Sequence, residues 1–146
     1  MHYLDTCFIA PMLLNEATSE AVERYVVRAA AGSLCISQWT RVEFASVVAR
    51  EVRMKKMNAR QGTAVLAEFD KLVKESLLVL VPMADDYNLA HDYLGRFSTG
   101  LRGGDALHLA IAANHGASKI LTLDEGLLSA GKQLKLPVSR GIKQLG

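Results

Sequence analysis

Short apolar runs alternate along this chain with longer segments in which apolar residues recur at helical spacing. His2-Tyr3-Leu4 is a short apolar run closed by Asp5, and it predicts a strand. Thr6 to Ala10 turns into a short helix, interrupted by Pro11 or tolerating it in its first turn; Thr6 caps that helix or bonds Asp5 or a water. Thr18 or Ser19 opens a second helix, with Ala21, Val22, Tyr25, Val26 and Ala29 inward and Gly32-Ser33 as its stop. Leu34-Cys35-Ile36 predicts a buried strand, and Ser37 or Gln38 a helix running to about Arg53 on a stripe of Trp39, Val42, Ala45, Ala49 and Val52. Asn58 caps a helix from Ala59 to about Glu75, with Val65, Leu66, Phe69, Leu72 and Val73 inward. Leu77 to Val81 is the clearest strand, closed by Pro82; Asp85 and Asp86 then stand as caps for a helix from Tyr87 to Phe97. Gly103-Gly104 delivers Asp105 onto a helix that is apolar on almost every side. Lys119 to Leu123 predicts a strand ending at Asp124, Gly126 to about Gly131 a short helix, and Leu136-Pro137-Val138 a last edge strand.

The order β-α-α-β-α-α-β-α-α-β-α-β predicts the α/β class. One domain spans 1–146, an α/β/α sandwich around a central, mostly parallel sheet of four to five strands. Half of the residues are hydrophobic and 22% are charged, which fits a globular core and excludes a disordered chain. No run reaches the ~18 apolar residues of a membrane span, and no basic segment precedes an apolar one at the N-terminus. Two cysteines, Cys7 and Cys35, without metal-type spacing are expected as reduced thiols in a cytoplasmic protein.

Charge changes the picture once it is divided. There are 17 basic and 15 acidic residues. If Asp5, Glu43, Asp105 and Asp124 gather in one site, 11 acids remain and the rest of the chain carries +6. A basic body around an acidic pocket suits an enzyme that acts on a polyanion. The cluster Arg50, Arg53, Lys55 and Lys56 is either a phosphate-backbone contact or a solvated helix end.

Asp5 and Asp124 each close a strand, so both belong to the carboxyl edge of the sheet, where α/β proteins bind ligands. Asp105 opens a helix at the same edge, where it either caps that helix or faces a cleft. Glu43 lies about 100° from Val42 on the helical wheel, at the edge of the apolar stripe; it either looks into the cleft or pairs with Arg41 or Arg50. His108, one turn past Asp105, is expected to be structural. Two carboxylates about 4 Å apart repel by about 4 kcal/mol at an effective dielectric of about 20. Such a site must hold protons or a cation, and an oxygen-only ligand set selects Mg2+ or Mn2+ over zinc. The chemistry that follows is phosphodiester hydrolysis by in-line attack of water.

Asp5 in Tyr3-Leu4-Asp5-Thr6, Glu43 in Thr40-Arg41-Val42-Glu43-Phe44, Asp105 in Gly103-Gly104-Asp105-Ala106-Leu107-His108, and Asp124 in Leu121-Thr122-Leu123-Asp124 together resemble a PIN domain. In size and motif order the chain is most similar to VapC-type toxins of toxin–antitoxin pairs. The resemblance implies a Mg2+-dependent endoribonuclease. Asp5, Asp105 and Asp124 would be the main metal ligands, and Glu43 would hold the metal through water or orient the attacking water. Thr6 and Thr122 match positions that often carry hydroxyls near the site. It also implies an RNA substrate, a homodimer, and a cognate antitoxin whose tail fills the acidic cleft. Cys7 stands where Asn or Ser is common and Leu123 where Asn is common; both departures touch fine positioning.

Other readings stay open on the residues alone. An aspartate phosphatase wants Asp-x-Asp, but position 7 is Cys; a phosphorelay receiver wants adjacent acids before its phosphorylated Asp and a late Lys, and neither is evident. A PIN nuclease for RNA processing without a toxin role, or a non-catalytic RNA- or partner-binding PIN module, carries the same fold.

Overall fold

The computed structural model describes residues 1–143. Five strands form one sheet in the order β3-β2-β1-β4-β5: β1 His2–Leu4, β2 Leu34–Ser37, β3 Leu78–Leu80, β4 Lys119–Leu121 and β5 Val138–Ser139. Every pairing is parallel. The helices are α1 Thr6–Ile9, α2 Ser19–Arg28, α3 Gln38–Arg53, α4 Ala59–Ser76, α5 Ala84–Leu94, α6 Gly103–Asn114 and α7 Glu125–Gln133. Short 3-10 turns run over Ala10–Met12 and Phe97–Thr99.

Alternation along the strands divides the core. Leu4, Leu34, Ile36 and Leu121 face one side, where they pack on Phe8 of α1, Val22 of α2, Phe44 and Val48 of α3 and Phe69 of α4. Tyr3, Cys35 and Ile120 face the other side, against Ala90 of α5, Leu109 and Ile111 of α6 and Leu127 of α7. The expected α/β/α sandwich of four to five strands is therefore present, with its sheet wholly parallel. Among the described residues no helix is long and apolar enough to cross a membrane. Cys7 and Cys35 are both free thiols.

The chain lays β2 and then β3 on one side of β1, then returns across α5 and α6 to lay β4 on the other. That reversal splits the carboxyl ends of β1 and β4 and opens a crevice between them.

Three local expectations are corrected. The inward face of α3 carries Thr40, Phe44 and Val48, while Val42 is 59% exposed. The Phe44 ring stacks on Phe69 at 4.3 Å and sets the phase, and the buried Thr40 hydroxyl escapes a count of apolar residues. Helix α2 stops at Arg28, four residues before Gly32, which takes a positive φ in the turn beyond. Helix α5 starts at Ala84, so Asp85 and Asp86 lie in its first turn rather than before it, and Asp86 caps from inside the helix by bonding the N-cap backbone. Asp86 is buried there and accepts from Met83 N–H at 2.8 Å and from Asn114 Nδ2 at 2.8 Å, pinning α5 to α6. Leu78 to Leu80, within the clearest apolar run, forms an edge strand with Leu78 half exposed.

Candidate active site

Parallel register builds the crevice. Leu4 pairs with Leu121, so Asp5 and Thr122, next along each strand, are neighbours. Thr122 Oγ1 donates to Asp5 Oδ2 at 2.5 Å, and Phe8 N–H donates to Asp5 Oδ1 at 2.8 Å. Asp5 is thus the cap of α1, the role open to Thr6 on sequence. Thr6 Oγ1 instead donates to Glu43 Oε1 at 2.6 Å. Asp124 caps α7 by accepting Leu127 N–H at 2.7 Å, and its own N–H donates to Thr122 Oγ1 at 3.0 Å. One threonine hydroxyl therefore ties two of the acids together.

Asp105 does not cap α6. The cap position falls on Arg102, and no side chain fills it. Asp105 sits half-buried in the first turn instead. Glu43 reaches the same turn from α3: a Cβ built on Gly104 would lie 2.8 Å from Glu43 Oε2. Glu43 pairs with neither Arg41 nor Arg50; Arg41 bonds Asp70 instead. The indole N–H of Trp39 donates to Gly104 O at 3.2 Å and ties α3 to the mouth of α6.

The four acids share one electrostatic field. Burial pushes the Asp5 carboxyl up to about 6, and Asp105 adds to that, against the pull of His108, Thr122 and Phe8 N–H. Burial also raises Asp105, reinforced by Asp124 and Glu43, with Arg102 and His108 opposing. Cys7 registers the whole group: burial and then Asp5, Asp124, Asp105 and Glu43 push its thiol up to about 12. Glu43 goes the other way. Burial raises it, but the hydrogen bond and charge of His108 and the Thr6 hydroxyl together outweigh burial and hold it below the usual carboxylate range.

Among the described residues, no three His, Cys, Asp or Glu side chains converge closely enough to hold a metal ion as they stand. Asp5 spends both oxygens on internal donors, and Asp124 and Glu43 one each. The donor set still fits a hard divalent cation: Asp105 raises Asp5, Asp124 and Glu43 raise Asp105, and no Lys or Arg is hydrogen-bonded to any of the four.

His108, expected to be structural, is the buried neighbour of Glu43. It is 1% exposed, and its Nε2 lies 2.7 Å from Glu43 Oε1. Its position three residues after Asp105 puts both on one helical face, which was the available signal. Tyr3, Ser37 and Thr40, which stand behind His108, gave none, because their contact is made across the sheet. The basic cluster Arg50, Arg53, Lys55 and Lys56 lies at the far end of α3. Ten helical residues separate Glu43 from Arg53, roughly 15 Å of helix.

The sequence profile of the PIN domain matches residues 2–133, a span that contains all four acids. The chain belongs to the PIN domain family. Solved PIN-type structures are similar over nearly the whole chain. Mycobacterium tuberculosis VapC20, a toxin that cleaves the sarcin–ricin loop, superposes with a TM-score of 0.72 at 19% identity, covering 90% of this chain and 95% of that one. FitAcB from Neisseria gonorrhoeae gives a TM-score of 0.70 at 19% identity, covering 97% and 98%. VapBC-1 from nontypeable Haemophilus influenzae gives 0.68 at 16% identity, covering 97% and 98%. At these identities the likeness carries the PIN fold. No curated protein matches the sequence.

Proposed function

We propose that this PIN domain is a divalent-metal-dependent endoribonuclease that acts as the toxin of a toxin–antitoxin pair. The observation that carries the reading is the gathering of Asp5, Glu43, Asp105 and Asp124 at one sheet crevice: Asp5 and Asp124 share the Thr122 hydroxyl, Glu43 Oε2 stands over Gly104 beside Asp105, and no Lys or Arg is hydrogen-bonded among them. Asp5, Asp105 and Asp124 would hold Mg2+ or Mn2+, with Glu43 reaching it through water. Bound there, the ion would neutralise charge on a phosphoryl oxygen and lower the pKa of a coordinated water.

The chain's own residues do the rest. Thr122 and Phe8 N–H fix the rotamer of Asp5, and Leu127 N–H fixes that of Asp124. Glu43, held below the usual range, is ionised at neutral pH and placed to orient an attacking water as an acceptor, the water's proton passing to solvent. Water oxygen bonds to phosphorus, the bond from phosphorus to a ribose oxygen breaks, and the leaving oxygen takes a proton from solvent. Thr6 and Thr122 serve as supporting hydroxyls.

The partners in this reading are RNA, a second copy of the chain and a protein antitoxin. A negative crevice suits an antitoxin tail that places a basic residue among the acids. Leu78, Val81, Met83 and Tyr87, each at least half exposed along the β3 edge and the start of α5, give apolar surface for protein contacts. The similarity to VapC20, a sarcin–ricin loop cleaving toxin, supports the toxin role over a housekeeping nuclease.

Purified wild type is expected to cleave RNA with Mg2+ and to stop on chelation. Asp5→Asn and Asp105→Asn should fold and not cleave. Cleavage by either variant at the wild-type rate overturns the site assignment. Growth arrest on induced expression of wild type, but not of Asp105→Asn, tests the toxin role; no arrest from wild type overturns it.

A further inference from the structure

Behind Glu43 runs a closed chain of buried hydrogen bonds. Ser37 Oγ lies 2.9 Å from the Tyr3 hydroxyl, that hydroxyl 2.7 Å from His108 Nδ1, and His108 Nε2 2.7 Å from Glu43 Oε1. Tyr3, Ser37, Thr40 and His108 are all essentially inaccessible to water. The direction at the crevice end follows from the carboxylate, which only accepts, so His108 Nε2 carries a hydrogen. With a neutral ring Nδ1 then accepts from the Tyr3 hydroxyl, behind which Ser37 Oγ and Thr40 Oγ1 each accept the other residue's backbone N–H. A bare Nε2 would set its lone pair against those of Glu43 Oε1 at 2.7 Å.

Glu43 Oε1 is thereby filled twice, by His108 and by Thr6. Oε2 takes neither bond and stands over Gly104, one residue before Asp105; a Cβ there would meet it at 2.8 Å. A side chain on α3 with three rotatable bonds is thus reduced to one orientation with one oxygen left for the crevice.

We propose that His108, held by Tyr3, is a positioning residue that locks Glu43 Oε1 inward so that Oε2 alone serves the crevice. The inference rests on the metal-nuclease reading and deepens it. A hydrogen-bond partner behind a metal-site carboxylate typically carries 10–100-fold in metal affinity or activity. The role belongs to the Nε2–H and not to the bulk of the ring, so an amide that restores an N–H there should rescue it.

The test uses full-length wild type, His108→Leu, His108→Gln and Tyr3→Phe, each checked for folding by thermal unfolding. Mn2+ affinity is measured without RNA by calorimetry and by fluorescence of Trp39, the chain's one tryptophan and a neighbour of Gly104. Imidazole nitrogen NMR on the metal-free protein reads the His108 tautomer, and steady-state cleavage separates kcat from KM. The expected result is a His108 Nε2–H in wild type that is lost or mixed with the other tautomer in Tyr3→Phe. His108→Leu should bind Mn2+ about tenfold more weakly, with a similar fall in kcat and an unchanged KM for RNA. His108→Gln should stay within about threefold of wild type. If His108→Leu fails to fold, the Tyr3→Phe tautomer shift and Mn2+ affinity decide. Wild-type Mn2+ affinity in folded His108→Leu, or His108→Gln as weak as His108→Leu, overturns the positioning role. A bare Nε2 in wild type overturns it too. Wild type that binds no Mn2+ while keeping the Nε2–H overturns the metal reading itself, so the two failures are told apart.

Discussion

Replacing Asp5 with Asn should make the metal-free protein more stable at neutral pH, although the change removes an acceptor from a buried, doubly bonded carboxylate. The Asp5 carboxyl is 2% exposed and pushed up to about 6 from an ordinary 3.8, first by burial. The folded state therefore holds this proton more tightly than the unfolded chain does. Stability from that preference is fully present below about pH 3.8 and is lost as pH rises through about 6. At 1.36 kcal/mol per unit, the shift makes ionised Asp5 a burden of about 3 kcal/mol above pH 7. Asn carries no charge and still caps α1, but it offers one carbonyl oxygen where Thr122 and Phe8 N–H now find two. The lost acceptor costs about 1 kcal/mol, leaving a gain of about 2 kcal/mol. For a chain of this size that is about 4–8 °C in Tm. Thermal unfolding of both proteins in chelator at pH 7.5 and pH 5 is the assay. The burden on wild type is about half as large at pH 5, so the gain should shrink there. A lower Tm for Asp5→Asn at pH 7.5, or a difference independent of pH, would refute the claim that Asp5 is a strained, ionised carboxylate in the free crevice.

Mg2+ or Mn2+ should raise the Tm of wild type more at pH 7.5 than at pH 5, because the ion displaces protons held by Asp5 and Asp105; the same titration on Asp105→Asn should show little shift, and an equal shift would count against a shared site. Gly104→Ala should leave stability within about 1 kcal/mol, since Ala favours a helix. Its new methyl would meet Glu43 Oε2 at 2.8 Å and Trp39 Cζ2 at 3.1 Å, so RNA cleavage should fall at least tenfold; unchanged cleavage would deny Glu43 its place. Gly131→Ala would drive a methyl into the Val138 side chain, where α7 packs on β5. It should cost about 1–3 kcal/mol by chemical denaturation with the chemistry of the crevice intact, and a neutral effect would mean that β5 yields more easily than its packing suggests.

What the sequence made legible was set by local chemistry. Asp5 and Asp124 could be placed because each follows a short apolar strand, and parallel strands put both acids at one edge. Asn58 capped its helix as its type predicts, reciprocally with Gln61. Asp105 was legible as an acid at a buried helix's mouth, but whether it capped the helix was not, because Gly103 and Gly104 left the start of α6 undetermined. The phase of α3 was lost because hydrophobicity alone misses Thr40, a buried hydroxyl whose partners come from β1 and β2. His108 was expected to be structural, and its place behind Glu43 was illegible because its partners Glu43 and Tyr3 are 65 and 105 residues away and only the folded sheet brings them together.

The central claim is that this PIN crevice hydrolyses RNA with water as the nucleophile, through its own four acids. Its most direct test is to incubate purified wild type and Asp105→Asn with a mixed-sequence RNA, in Mg2+ and in chelator, and to analyse the chemistry of the new ends. The account predicts cuts only from wild type with Mg2+, and ends free of 2′,3′-cyclic phosphate. Cuts that survive chelation, appear equally with Asp105→Asn or carry cyclic phosphates would contradict it.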